Sequence, residues 1–66
     1  MRESFAVKIK KFRKQKGMSQ AEFAKKIGVW QTQVSRYERG EITPTVTTLE
    51  WICDAFGLSA TELLGF

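Results

Sequence analysis

Residues 19–40 read SQAEFAKKIGVWQTQVSRYERG, and their punctuation decides what the rest of the chain can be. Ser19 and Glu22 stand at the spacing of a capping box, in which the serine oxygen accepts one free backbone N–H while the glutamate reaches back to another. Met18 and Phe23 sit where a hydrophobic staple closes over such a helix start. A helix is expected over 20–27, with Phe23, Ala24 and Ile27 turned inward and Ala24 small enough to let another helix come close. Gly28 terminates it, and only Val29 and Trp30 precede a second helical pattern over 31–39, which Gly40 closes. Two helices joined so tightly turn sharply against each other. One residue is out of place: a helix start prefers Ser, Thr, Asp or Asn, and position 30 is Trp30. Lying four residues before Val34, its ring either packs on the core side against the preceding helix or Tyr37, or stands at the outer edge with its indole N–H turned to a partner.

The flanking segments use the same devices. Phe5, Ile9 and Phe12 fall at i, i+4 and i+7 ahead of Gly17, so a helix is expected over 3–16. After Gly40 the EITPT stretch reads as an extended loop, because Pro44 biases Thr43 away from helical angles, and Thr45 is an N-cap for a helix over 46–56. The apolar stripe of that helix is Val46, Leu49, Ile52, Cys53 and Phe56. Gly57 ends it, Ser59 and Glu62 repeat the capping box, and Leu58 and Leu63 repeat the staple for a short helix over 60–64. No segment alternates with period two. The fold class expected is all-α, a compact five-helix domain over 1–66 without internal repeat or linker.

Composition narrows the function. A chain of 66 residues makes one small domain and buries only about 60% of the surface its unfolded form exposes. The single cysteine, Cys53, excludes an internal disulfide framework and reads as core. With no His and no second thiol, a structural zinc site has too few ligands, so no metal or cofactor is expected. The same poverty argues against an enzyme, since the seven carboxylates are scattered and no nucleophile has a placed base. No run approaches the roughly 18 apolar residues of a membrane span, and no secretory signal opens the chain, so a soluble, cytoplasmic protein is expected.

Charge is divided along the chain. Residues 1–16 carry +6, with Arg2, Lys8, Lys10, Lys11, Arg13, Lys14 and Lys16 against Glu3 alone, while residues 17–40 carry +2 and residues 41–66 carry −4. A basic end with an acidic end facing away is the footprint of a nucleic-acid binder. Charge alone equally fits lysines that solvate the outer face of the first helix. The helix over 31–39 adds a second sign. With Val34 pointing inward, about 100° per residue puts Tyr37 and Glu38 near the core and Thr32, Ser35, Arg36 and Arg39 outside. That outer face has no large apolar residue, which suits a helix lying in a major groove and also fits an ordinary solvated face.

In its spacing the chain resembles the phage repressor and Cro type, or XRE-like, helix-turn-helix regulators. The residues that carry the resemblance are Ser19-Gln20, Phe23-Ala24, Gly28-Val29, Val34-Ser35, Glu38-x-Gly40, Pro44 and Leu49. It implies a λ-repressor-like domain that binds double-stranded DNA sequence-specifically and regulates transcription, as a repressor on a twofold operator. It also implies a bacterial or phage-encoded protein, associated with the nucleoid when bound. Base readout is expected from Gln31, Thr32 and Arg36, with Gln33 and Ser35 at the edges, since Gln suits adenine, Arg suits guanine and a Thr methyl suits thymine. The resemblance puts Gln20 on a phosphate and braces it against Gln31. Further phosphate contacts are expected from Arg39, Thr43, Thr45 and, reaching the backbone or adding to the field, Lys8 and Lys11. It also places position 30 beside the DNA backbone, which favours the outward reading of Trp30. Arg13 and Glu38 match a pair that bridges the first helix to the end of the third.

Homodimer contacts, at least on DNA, are expected from a patch of Trp51, Ala55, Leu58 and Phe66, unless Trp51 packs on the last helix instead. Two rivals stand beside this reading. Domains of this type also occur as antitoxins and protein-interaction modules, which would keep the core and lose the groove face. A basic amphipathic helix for anionic membranes is the other, but its apolar face is needed for the core.

Overall fold

The computed structural model describes residues 4–65 and folds them into five helices. These are α1 (Phe5–Gln15), α2 (Gln20–Ile27), α3 (Gln31–Glu38), α4 (Val46–Phe56) and α5 (Ala60–Gly65). Among the described residues there is no strand, and no helix is long and apolar enough to cross a membrane. The extents are 27 × 24 × 23 Å, and all five helices contribute to one buried cluster.

Helix boundaries follow the caps. The structure begins α1 at Phe5 rather than at residue 3, because Ser4 is its N-cap and accepts the Val7 N–H at 3.3 Å. Arg2 and Glu3 lie outside the described residues. The capping box is complete at α2: Ser19 Oγ accepts from Glu22 N–H at 3.1 Å, and Glu22 Oε1 accepts from Ser19 N–H at 3.0 Å. These bonds hold the exposed Glu22 carboxyl below the ordinary glutamate range, the backbone donor at Ser19 being the main cause. Helix α3 stops at Glu38, one residue short of 39, with Arg39 as its C-cap, and α5 runs to Gly65 rather than 64. Thr45 caps α4 through Thr48 N–H, and Ser59 Oγ accepts from Glu62 N–H at the start of α5.

The core takes residues from every helix. Ile9 and Phe12 of α1, Phe23, Ala24 and Ile27 of α2, Val34 and Tyr37 of α3, Ile52 of α4 and Leu63 of α5 are buried together. Three rings meet at one side of it, with Phe56 half-buried. Phe12 meets Phe56 edge to face at 4.9 Å, and Phe23 stacks on Phe56 at 5.5 Å, so one aromatic cluster ties α1, α2 and α4. Helix α3 packs against both α1 and α2, which leaves its remaining side to solvent.

The expected stripe of α4 needs one correction. Val46 is 72% exposed, while Thr48 is buried. Val46 is the first helical residue, where the chain leaves the Pro44 loop and no element covers it. Thr48 lies one turn before Ile52 on the face that meets α3, and its hydroxyl is satisfied there, so burying it carries no unpaired polar group. Cys53 is half-buried at the margin of the core.

Candidate nucleic-acid interface

The turn between α2 and α3 is set by backbone geometry. Gly28 adopts φ 82°, and its N–H and that of Val29 both donate to Ala24 C=O, at 2.9 and 3.0 Å. A Cβ at Gly28 would meet nothing within 4 Å, so glycine is required here for its left-handed conformation and not for space. Val29 then tucks half-buried against the core, and Trp30 takes the N-cap position of α3 in extended conformation.

Trp30 makes no side-chain cap, and its ring is 81% exposed. The core-side reading is therefore excluded. The backbone still performs part of the cap, since Trp30 C=O accepts from Gln33 and Val34 N–H at 3.0 and 3.3 Å. The ring instead walls a shallow concavity of ≈ 170 Å³ together with Thr32, Gln33, Arg36 and Ile42. This hollow joins the first part of the outer face of α3 to Ile42 in the loop that follows it.

On that face Gln31, Thr32, Arg36 and Arg39 are exposed, and Gln33 and Ser35 are half-buried. Thr32, Arg36 and Arg39 fall at i, i+4 and i+7, so they form one row. Gln33 is partly committed: its Nε2 donates to Tyr37 Oη at 2.5 Å. The Tyr37 hydroxyl in turn donates, over a long 3.5 Å, to Thr48 Oγ1, which is hydrogen-bonded to Thr45 Oγ1 at 3.1 Å. A polar chain thus runs from α3 to the N-cap of α4. Because Thr45 Oγ1 also accepts from Thr48 N–H, the Thr45 hydroxyl is occupied as a cap, and what this corner offers outward is the N-terminus of α4 with exposed Thr43 nearby.

The inner end of α3 is locked by charge. Arg13 Nε donates to Glu38 Oε2 at 2.7 Å and Nη2 to Oε1 at 3.0 Å, a bidentate pair, while Nη1 donates to Met18 C=O at 2.8 Å. The side chains are only 11% and 3% exposed. Gln20 Nε2 donates to the same Glu38 Oε1 at 3.2 Å, so its amide braces Glu38. Burial alone pushes the Glu38 carboxyl up, but the hydrogen bonds from Arg13 and Gln20, with the fields of Arg13 and Lys10, outweigh it and hold the group below its ordinary range. The bond to Glu38 correspondingly raises Arg13.

Two features were missed by reading the residues. Glu41 pairs with both outer arginines, its Oε1 lying 3.8 Å from Arg36 Nε and its Oε2 on Arg39 Nε. The available signal was its place just after the terminating Gly40, where the chain wraps back over the last turn. Ile42, read as loop, lines the concavity beside Trp30 and is half-buried. Lys8 is half-buried on α1 and Lys11 exposed.

The expected C-terminal patch is smaller than the sequence suggested. Ala55 and Leu58 are partly buried against the core, because α2 and α5 cover that side of α4, and Phe66 lies outside the described residues. Trp51 remains 44% exposed and lines an open groove of ≈ 430 Å³ with Lys25 and Lys26 of α2 and Asp54 of α4. No group of His, Cys, Asp or Glu among the described residues could hold a metal ion.

Comparison with known proteins agrees with this geometry. The helix-turn-helix family model matches residues 9–63, from the core of α1 to that of α5. The antitoxin PezA of Streptococcus pneumoniae is 33% identical over 57 residues, covering 86% of this chain but only 36% of that protein. The chain therefore spans about a third of that relative's length. An uncharacterized helix-turn-helix type transcriptional regulator, y4dJ of Sinorhizobium fredii, is 36% identical over 64 residues, covering 97% of this chain and 83% of that protein. On the match over residues 9–63 and the α2–turn–α3 geometry that accompanies it, this chain belongs to the helix-turn-helix family.

Proposed function

We propose that the chain is a DNA-binding transcriptional regulator that lays α3 in the major groove of a duplex and acts as a repressor. The observation that carries this reading is the outer row of α3: Thr32, Arg36 and Arg39 stand exposed with Gln31 on a helix whose other side is fixed by Val34, Tyr37 and Glu38. Rigid support behind exposed hydrogen-bonding groups is what direct readout requires. Gln31, Thr32 and Arg36 read base edges, with Gln33 Oε1 and Ser35 at the margins. Arg39, Thr43, the start of α4, and the Trp30 indole N–H position the backbone, and Gln20 acts through Glu38. Lys8 and Lys11 contribute field. The domain acts as a cytoplasmic homodimer on a twofold operator, with half-sites about 34 to 36 Å apart, joined through Trp51 and its surroundings.

Selection of bound duplexes from a random library tests this directly. The expected product is an enriched site of twofold symmetry, with half-sites one helical turn apart, and a sedimentation profile showing two chains per duplex. Absence of enrichment would remove the reading. A second reading, a protein-interaction or antitoxin-type module, is favoured by the similarity to antitoxin PezA. It requires a partner protein bound more tightly than any duplex.

A further inference from the structure

Both outer arginines of α3 meet one carboxylate. Gly40 N–H donates to Tyr37 C=O at 3.1 Å and Glu41 N–H to Arg36 C=O at 3.0 Å, the paired bonds of a Schellman end, with Gly40 at φ 73°. The backbone thereby holds Glu41 over the last turn of α3. That is the negative end of the helix dipole, where a cation is favoured and an anion is not. Folding offers little reason for it, since the side chains of Arg36, Arg39 and Glu41 are 55%, 60% and 45% exposed and such pairs contribute little. The contacts have a particular geometry. Glu41 meets each guanidinium at its Nε, on the stem side of the two terminal nitrogens that form the end-on fork for guanine O6 and N7.

We propose that Glu41 sets specificity. It occupies on Arg36 and Arg39 the place a phosphate would take, and so weakens sequence-blind binding while leaving the Arg36 fork for a base edge. The inference rests on the DNA-binding reading above. Phosphate attraction supplies essentially all non-specific affinity, whereas discrimination depends on the difference between right and wrong sites. A resident carboxylate that lowers the first term without touching base contacts widens that difference.

The test compares the native chain with Glu41→Gln and with Glu50→Gln, which removes an exposed carboxylate of α4 and so matches the change in net charge. Each is titrated with the selected operator and with an unrelated duplex of equal length across a range of salt, after a thermal melt has checked that the variants fold alike. Glu41→Gln is expected to bind the unrelated duplex about five- to tenfold more tightly at roughly 0.1 M salt, with a log–log salt slope steeper by about 1. The operator gains less, so the ratio falls, while Glu50→Gln moves both by less than about twofold. If Glu41→Gln raises both affinities by the same factor, or behaves as Glu50→Gln does, Glu41 contributes net charge alone and the inference is overturned. A native chain that enriches no duplex overturns the DNA-binding reading itself and this inference with it, whereas a genuine operator with an unchanged slope removes the role of Glu41 only.

Discussion

The inner and outer sides of α3 use similar polar side chains under opposite conditions. Inside, Glu38 is held by Arg13 and Gln20, and the Tyr37 hydroxyl lies between Gln33 and Thr48. Outside, Thr32, Arg36 and Trp30 surround a hollow open to solvent. Desolvation makes the difference. A buried carboxylate without its partner is costly, so the inner contacts are structural whatever else they do. An exposed arginine has almost no folding consequence, so its placement is available for recognition. Groups that hold the fold and groups open to a partner are thus separated across one short helix, and substitutions can break that separation.

The largest effect is expected at the inner end. Arg13→Ala leaves Glu38 buried and unpaired, and a loss of about 3 to 5 kcal/mol in urea unfolding is expected. A loss below about 1 kcal/mol would erase the contrast between the two sides. Acid sharpens the same point. The Glu38 carboxyl is held below its ordinary range, so the unfolded chain takes up the proton first. Its contribution is complete above the ordinary glutamate value of about 4.3 and is lost as pH falls through the lower native value. Denaturant midpoints across that acid range should fall in the native chain and stay flatter in Glu38→Gln.

Next comes Arg36→Ala. It should leave the melting temperature almost unchanged and cost about 1 to 3 kcal/mol of affinity, concentrated at one base pair of the operator. An equal loss on every duplex would make Arg36 a phosphate contact. Tyr37→Phe, on the inner side, removes the hydroxyl between Gln33 and Thr48 and should lower stability by about 1 kcal/mol in a thermal melt, with any loss of binding following from stability alone. The smallest change is expected at Trp30→Ser. A restored cap should stabilise the free protein by about 0.5 to 1 kcal/mol while weakening duplex binding. A destabilised variant would mean that the exposed ring supports the helix start in some other way.

Much of the frame was legible because its signals act over three or four residues. Ser19 with Glu22, Thr45 before α4 and the glycines after α1 to α4 mark boundaries without knowledge of neighbouring elements. The Ser4 cap is equally local, but the apolar spacing of 5, 9 and 12 marks a helix face and not its first residue. The burial of Thr48 was not legible, for a different reason. Its spacing from Ile52 put it on the stripe, but a hydroxyl is buried only if partners meet it, and those partners lie on Tyr37 and Thr45. Trp30 left two positions open to the eye, and only the packing of α2 and α3 leaves its ring outside.

The amino-acid sequence by itself determined an all-helical chain, the bounds of α2 and α4, and the tight turn at Gly28, since caps and left-handed glycines close on backbone groups a few residues away. The Arg13–Glu38 pair came from the likeness to a known family, and geometry supplied its bidentate form and the added Gln20 contact. Tertiary structure alone decided that Gln20 braces Glu38 and that Thr48 is inside with Val46 outside. Residues 18 to 25 apart meet at the inner end of α3 only when α1, α2 and α3 are packed in register. Their worth depends on the water that packing excludes, which no local spacing records.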